Sequence, residues 1–127
     1  MEDGEIGDGR YESSPSFWFN AYSAWFGCDS PDGCVMRFTG YTYDVEQQDG
    51  IPAYTQNFTI EGCPALTSSS ASCQLQQVTF PESFRGLSAI QMEAFSGDEE
   101  KMFFMDDLAL GWTNTTCEAG MDRGKYP

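Results

Sequence analysis

Along most of this chain apolar and polar residues alternate with a period of two, and clusters of Gly, Pro, Asp and Ser interrupt the alternation roughly every ten positions, the pattern of short antiparallel strands. The first such run is 17–26, where six of ten residues are aromatic. A period of two puts Phe17, Phe19, Ala21, Ser23 and Trp25 on one face and Trp18, Asn20, Tyr22, Ala24 and Phe26 on the other. Both faces carry large apolar groups, as in a central strand. In 35–43, Val35, Arg37, Thr39, Tyr41 and Tyr43 oppose Met36, Phe38, Gly40 and Thr42. The run 53–60 reads as a strand with Thr55, Asn57 and Thr59 outward and Tyr54, Gln56, Phe58 and Ile60 inward. Strands are also predicted over 74–80, ending at Pro81, and over 87–95. The turn Gly97-Asp98-Glu99-Glu100 leads from there into a final strand over 102–112, close enough for these last two to pair antiparallel.

That final run is apolar apart from two adjacent carboxylates, Asp106 and Asp107, and is expected to be central in its sheet. A strict period of two turns one of the two inward. Leu108, Leu110 and Trp112 form the more apolar face and bring Asp106 with them, which makes Asp106 the favoured inward group and leaves Asp107 with Met105 and Ala109. A buried carboxylate needs a cation, backbone N–H donors or a raised pKa. Calcium is one candidate partner, with Asp106 and Asp107 as metal residues; Arg37, Arg85, Arg123 or backbone N–H groups are the metal-free alternative.

The chain has 127 residues, which bounds it to one domain. Residues 1–16 are rich in Gly, Asp, Glu and Ser and predict a flexible acidic tail or an edge segment; 17–123 form the single sandwich domain and 124–127 a C-terminal tail. Twenty acidic against six basic residues give a net charge of −14, which repels nucleic acid and anionic membranes. No run is long and apolar enough for membrane insertion by a helix. The absence of histidine excludes a His-based triad and His-ligated zinc or copper, while abundant carboxylate oxygens suit calcium.

Cys28 and Cys34 flank the turn Asp29-Ser30-Pro31-Asp32-Gly33 and predict a disulfide at a hairpin tip. Cys63 and Cys73 flank a Ser-rich loop and form the second expected pair, leaving Cys117; other pairings among the five cysteines stay open. Asn57-Phe58-Thr59 and Asn114-Thr115-Thr116 are glycosylation sequons, with Asn57 and Asn114 as acceptors. Cysteines and sequons together place the protein outside the cell, secreted, although Met1 to Glu5 is acidic and lacks the apolar core of a leader. Ligand-binding candidates are Trp18 and Trp25, as stacking surfaces, and Arg37, Tyr41 and Tyr43, as a platform on the wetter face of 35–43. Core packing for the tryptophans and cross-strand pairing for the tyrosines are the competing readings.

The run Phe104-Met105-Asp106-Asp107-Leu108-Ala109-Leu110, following 87–95, resembles the closing strand of jelly-roll β-sandwich modules of the carbohydrate-binding-module and MAM kind. There an aromatic, an aliphatic and an acidic pair end the domain. Residues 28–40 and 112–123 are also similar to secreted fungal modules. The resemblance implies an all-β, antiparallel, jelly-roll-like sandwich of eight or nine strands, often with a structural calcium held by an Asp of the last strand and loop carbonyls. The usual first strand, with its own acidic residue, is not evident before Phe17.

The expected function is that of a non-catalytic, monomeric secreted module recognising a glycan or cell-wall polymer through exposed aromatics. An adhesin- or effector-like module binding an extracellular protein is the alternative. A glycoside-active enzyme is disfavoured: it needs two carboxylates about 5–9 Å apart in a cleft, and strand neighbours such as Asp106 and Asp107 point to opposite faces. Only Glu93 on the adjoining strand offers a partner.

Overall fold

In the computed structural model, residues 5–7, 12–28, 32–62 and 75–125 are described. They form two antiparallel sheets packed face to face. The larger holds β1 (Glu5–Gly7), β6 (Ala89–Ser96), β3 (Cys34–Asp44) and β4 (Asp49–Ile60) in that order, and β7 (Glu99–Lys101) pairs with β6. The smaller runs β5 (Gln76–Thr79), β2 (Phe19–Cys28), β8 (Phe103–Trp112). A 3-10 turn at Pro15–Phe17 and one helix, α1 (Cys117–Arg123), complete the described elements. No helix among the described residues is long and apolar enough to cross a membrane.

The all-β sandwich expected from the alternation is therefore present, and its core is aromatic. Met36 and Phe38 point inward from β3, as their phase requires, and are fully buried. The Phe38 ring lies 4.9 Å from Phe80, 5.1 Å from Phe26 and 5.7 Å from Phe58, in the tilted and edge-on geometries that aromatic quadrupoles favour. On β4, Tyr54, Phe58 and Ile60 pack on the core and Thr55, Asn57 and Thr59 are exposed, as read, but Gln56, expected inward, is exposed, β4 being the edge of its sheet.

Three expectations fail, each for an identifiable reason. First, β2 does not keep one phase. Phe19 and Ala21 are buried in its first half, and Ala24, Phe26 and Cys28 in its second. A bulge does this: Ala21 pairs with Leu110 and Ser23 with Ala109, so Tyr22 is an extra residue on β2. The compensating extra residue lies on β8, between the Ser23–Ala109 and Trp25–Asp106 pairs, where Asp107 takes a φ of 50°. Second, the 102–112 strand is an edge of the smaller sheet, not central. Third, it does not pair with 87–95. The Gly97 turn, with φ at 65°, closes a hairpin between β6 and the short β7 only; the chain then crosses to the other sheet, where Phe103 pairs with Cys28.

Cys28 and Cys34 are bonded, as expected. Their bond is not at a hairpin tip, because β2 and β3 belong to different sheets; it staples the sheets together at one end and is itself buried. Gly33 beside it has a φ of 92°, and a Cβ there would stand 2.6 Å from the Ile60 carbonyl oxygen, so only glycine fits. The expected Cys63–Cys73 pair lies outside the described residues. Cys117 is exposed and free.

Within the segment read as a tail or an edge, Glu5–Gly7 takes the second role and pairs with β6. The 3-10 turn before β2 and the helix after β8 also meet. Buried Ser16 donates its hydroxyl to the Asp122 carboxylate. Arg123 donates to the carbonyls of Ser16 (2.7 Å) and Asn114 (3.1 Å), and its guanidinium lies 4.4 Å above the Trp112 ring. Thr116 caps α1 by accepting from the Ala119 N–H.

Candidate functional site

The five ligand candidates are not brought together. Trp18 is half-buried and donates its indole N–H to the Glu12 carbonyl at 2.8 Å, a structural contact. Arg37 and Tyr41 lie on the outer face of the larger sheet, and Tyr43 follows them in phase. There Arg37 pairs with Glu93 at 3.1 Å and covers the Phe95 ring at 4.8 Å. Tyr41 donates its hydroxyl to Gln91 Oε1 at 3.0 Å. These are the cross-strand pairs of an ordinary sheet surface. Val35, Arg37, Asn57, Phe95, Gly97 and Asp98 enclose a shallow depression of about 380 Å³ beside them.

Trp25 sits on the opposite outer face of the molecule, that of the smaller sheet. Its neighbours buried on either side, Ala24 and Phe26, fix its ring outward, and it stays 38% exposed. In register beside it stand Gln77 on β5 and Asp106 on β8. Two residues along β2, Gly27 is paired with Phe104, whose ring is 52% exposed. A Cβ at Gly27 would meet Leu75 Cδ2 at 2.8 Å and the Phe104 ring at 3.9 Å; its absence lets both side chains close over the strand. In the other direction Ser23 lies between Thr79 and Ala109. Beyond it the Tyr22 ring crosses Gly111, holds the Arg85 guanidinium 4.7 Å above its face and accepts a hydrogen bond from Asn20. Trp25 and Phe104 thus form an aromatic surface with Tyr22 at one end and Gln77, Thr79, Ser23 and Asp106 between and beside them.

Sequence reasoning found Trp25 but missed Phe104 and Tyr22. With one uninterrupted phase Tyr22 falls opposite Trp25. Only the bulge beside Ser23 returns both to the outer face, and the apolar run of β8 carries no signal of which half faces out.

The carboxylates of β8 require a correction. Asp106 was the favoured inward group, yet Asp106 and Asp107 are both exposed. The extra residue at Asp107 shifts the phase between Phe103 and Leu108, both of which pack on the core, and so absorbs the carboxylate that a strict period would have buried. Asp106 Oδ1 accepts the Asp107 N–H at 2.9 Å, within the bulge. Burial of a carboxylate therefore no longer calls for a cation at Asp106, and among the described residues no three Cys, Asp or Glu side chains gather in an arrangement suited to a metal. Asp106→Ala is accordingly expected to change stability by no more than about 0.5 kcal/mol, the usual range for surface substitutions. Urea unfolding of both proteins checks this, and a loss of several kcal/mol would restore a buried role. Glu93 and Asp106 lie on opposite outer faces of the sandwich, which removes the one carboxylate pair considered for glycoside hydrolysis.

Residues 1–123 match the family described as Domain of unknown function (DUF7371), and the chain belongs to that family. No curated protein and no solved structure matches it.

Proposed function

We propose that this member of the family is a non-catalytic secreted binding module that recognises a glycan or cell-wall polymer on the outer face of its smaller sheet. The observation that carries this reading is the exposure of Trp25 and Phe104 side by side on two paired strands. Their positions are diagonal neighbours on adjacent strands, which puts their backbones roughly 7–8 Å apart. Sugar rings offer flat C–H faces to aromatic rings and hydroxyls to nearby polar groups. The face supplies both, through the two rings and through Gln77, Asp106 and Thr79. A sheet holds such groups without the ordering cost that a loop would carry.

The secretory part of the reading is supported by the buried Cys28–Cys34 bond and by two exposed sequon asparagines. Asn114 lies after β8, where its side-chain oxygen accepts the Thr116 N–H at 3.0 Å. Asn57 lies on β4 at the rim of the depression by Arg37, on the other sheet from Trp25, so its glycan would leave the Trp25 face open.

An array of plant and fungal cell-wall glycans, probed with the wild-type protein and with Trp25→Ala, tests the reading. One polymer class should be retained by wild type, and the variant should lose binding by about five- to thirtyfold, since losing one stacked aromatic removes on the order of 1–2 kcal/mol. Both proteins should show the same thermal melt, because Trp25 is not part of the core. Equal binding by the two proteins, or no glycan bound by wild type, would sink the proposal.

A further inference from the structure

β8 is an edge, and among the described residues no strand pairs with its free side. The smaller sheet has three strands, while the larger is four strands across at its full width. The inward-facing side chains of β8 are nevertheless only partly covered by the described residues. Met105, Leu110 and Trp112 remain 40%, 39% and 45% exposed, although their register partners Phe26, Ala21 and Phe19 are all buried. Ten residues of strand thus present both an open row of backbone hydrogen-bonding groups and an apolar margin. Native proteins usually shorten or cover such an edge.

Charge decides what could cover it. Asp98, Glu99 and Glu100 lead into β8, Asp106 and Asp107 stand in its middle, and all five are exposed. Lys101 is paired with Glu99 at 3.4 Å, and Arg123, over the Trp112 ring, donates to the carbonyls of Ser16 and Asn114; among the described residues no ion pair is made to Asp106 or Asp107. A second copy of this chain fits poorly. Antiparallel pairing of two β8 edges about their midpoints would bring both Asp pairs close to one another, where like charges destabilise, on chains that each carry −14. A segment alternating cationic and apolar residues suits the same edge on both counts.

We propose that the free edge of β8 accepts an extended peptide segment with alternating cationic and apolar residues by strand addition. The bulge at Asp107 interrupts the edge, so pairing runs mainly along Leu108–Trp112, with the two carboxylates at the end of the added strand. Apolar side chains of the added strand cover Leu110, beside the Trp112 ring that Arg123 already caps, and its cations face Asp106 and Asp107.

A ten-residue acetylated and amidated peptide alternating Lys and Val, titrated into the 15N-labelled full chain, tests this. One saturable site is expected, with amide shifts concentrated in Phe103–Trp112. The same peptide N-methylated along one edge keeps its charge but cannot pair, and should bind more weakly by about tenfold or more. Asp106→Asn with Asp107→Asn should weaken the unmodified peptide several-fold, roughly as loss of charge-assisted contacts predicts. Equal binding of the N-methylated peptide would mean adsorption by charge alone and would overturn the proposal. So would shifts spread over the acidic turns, no binding at all, or β8 shifts that follow protein concentration without peptide, which would make a second copy the occupant.

Discussion

Phe38→Ala is expected to destabilise the domain by about 3–5 kcal/mol, the range for truncating a fully buried phenylalanine. The ring stands in the middle of the sandwich, in contact with Phe26 from the smaller sheet, Phe58 from the neighbouring strand and Phe80 from the segment after β5. These partners come from both sheets and cannot collapse into the space without moving a strand. The lost transfer energy is then joined by the cost of a cavity. Native domains are stable by only about 5–15 kcal/mol, so the variant should unfold at a markedly lower urea midpoint with an unchanged slope. Val45→Ala is the comparison, since that side chain is 76% exposed in the β3–β4 turn and should leave the midpoint in place. A Phe38→Ala midpoint close to wild type would mean that the aromatic cluster is not the centre of the core.

Removing the buried disulfide should have the next largest effect. Replacing Cys28 and Cys34 together by alanine opens a loop closed at a sequence separation of 6, for which loop entropy alone predicts a loss of about 2 kcal/mol. The bond does more here than close a loop, because it holds the end of one sheet against the start of the other. The variant should also show faster hydrogen exchange at the Cys28 and Cys34 ends of β2 and β3, while the opposite end of the sandwich stays protected. Unchanged unfolding of the double variant would show that the sheets need no staple.

The elements that the sequence displays most openly are those with an unbroken period of two. On β3 and β4, Met36, Phe38, Tyr54, Phe58 and Ile60 take the faces that alternation assigns them, because half-burial leaves a one-residue slip too costly. The Cys28–Cys34 pairing was equally legible from its turn. Strand order was not. Nothing in the alternation of 102–112 tells an edge from a centre, since an edge strand that is left uncovered keeps the composition of a buried one. The candidate site was half legible for a related reason. Trp25 was visible as an aromatic that could face outward, but its companions Phe104 and Tyr22 depend on two single-residue irregularities that no turn residue announces. The same irregularities undid the reading of Asp106 and Asp107.

The matched bulges of β2 and β8 tie the lengths of two strands that are far apart in the chain. Tyr22 is surplus on one strand and Asp107 restores the count on the other, so the pairs Ala21–Leu110 and Trp25–Asp106 share one offset. Losing the extra residue from β2 alone would reverse one half of the strand and carry Trp25 or Phe19 to the wrong side of the sheet. In descent, therefore, insertions and deletions at these two places should be inherited together, and sequences aligned without a gap at either one would put the binding-face aromatics out of step.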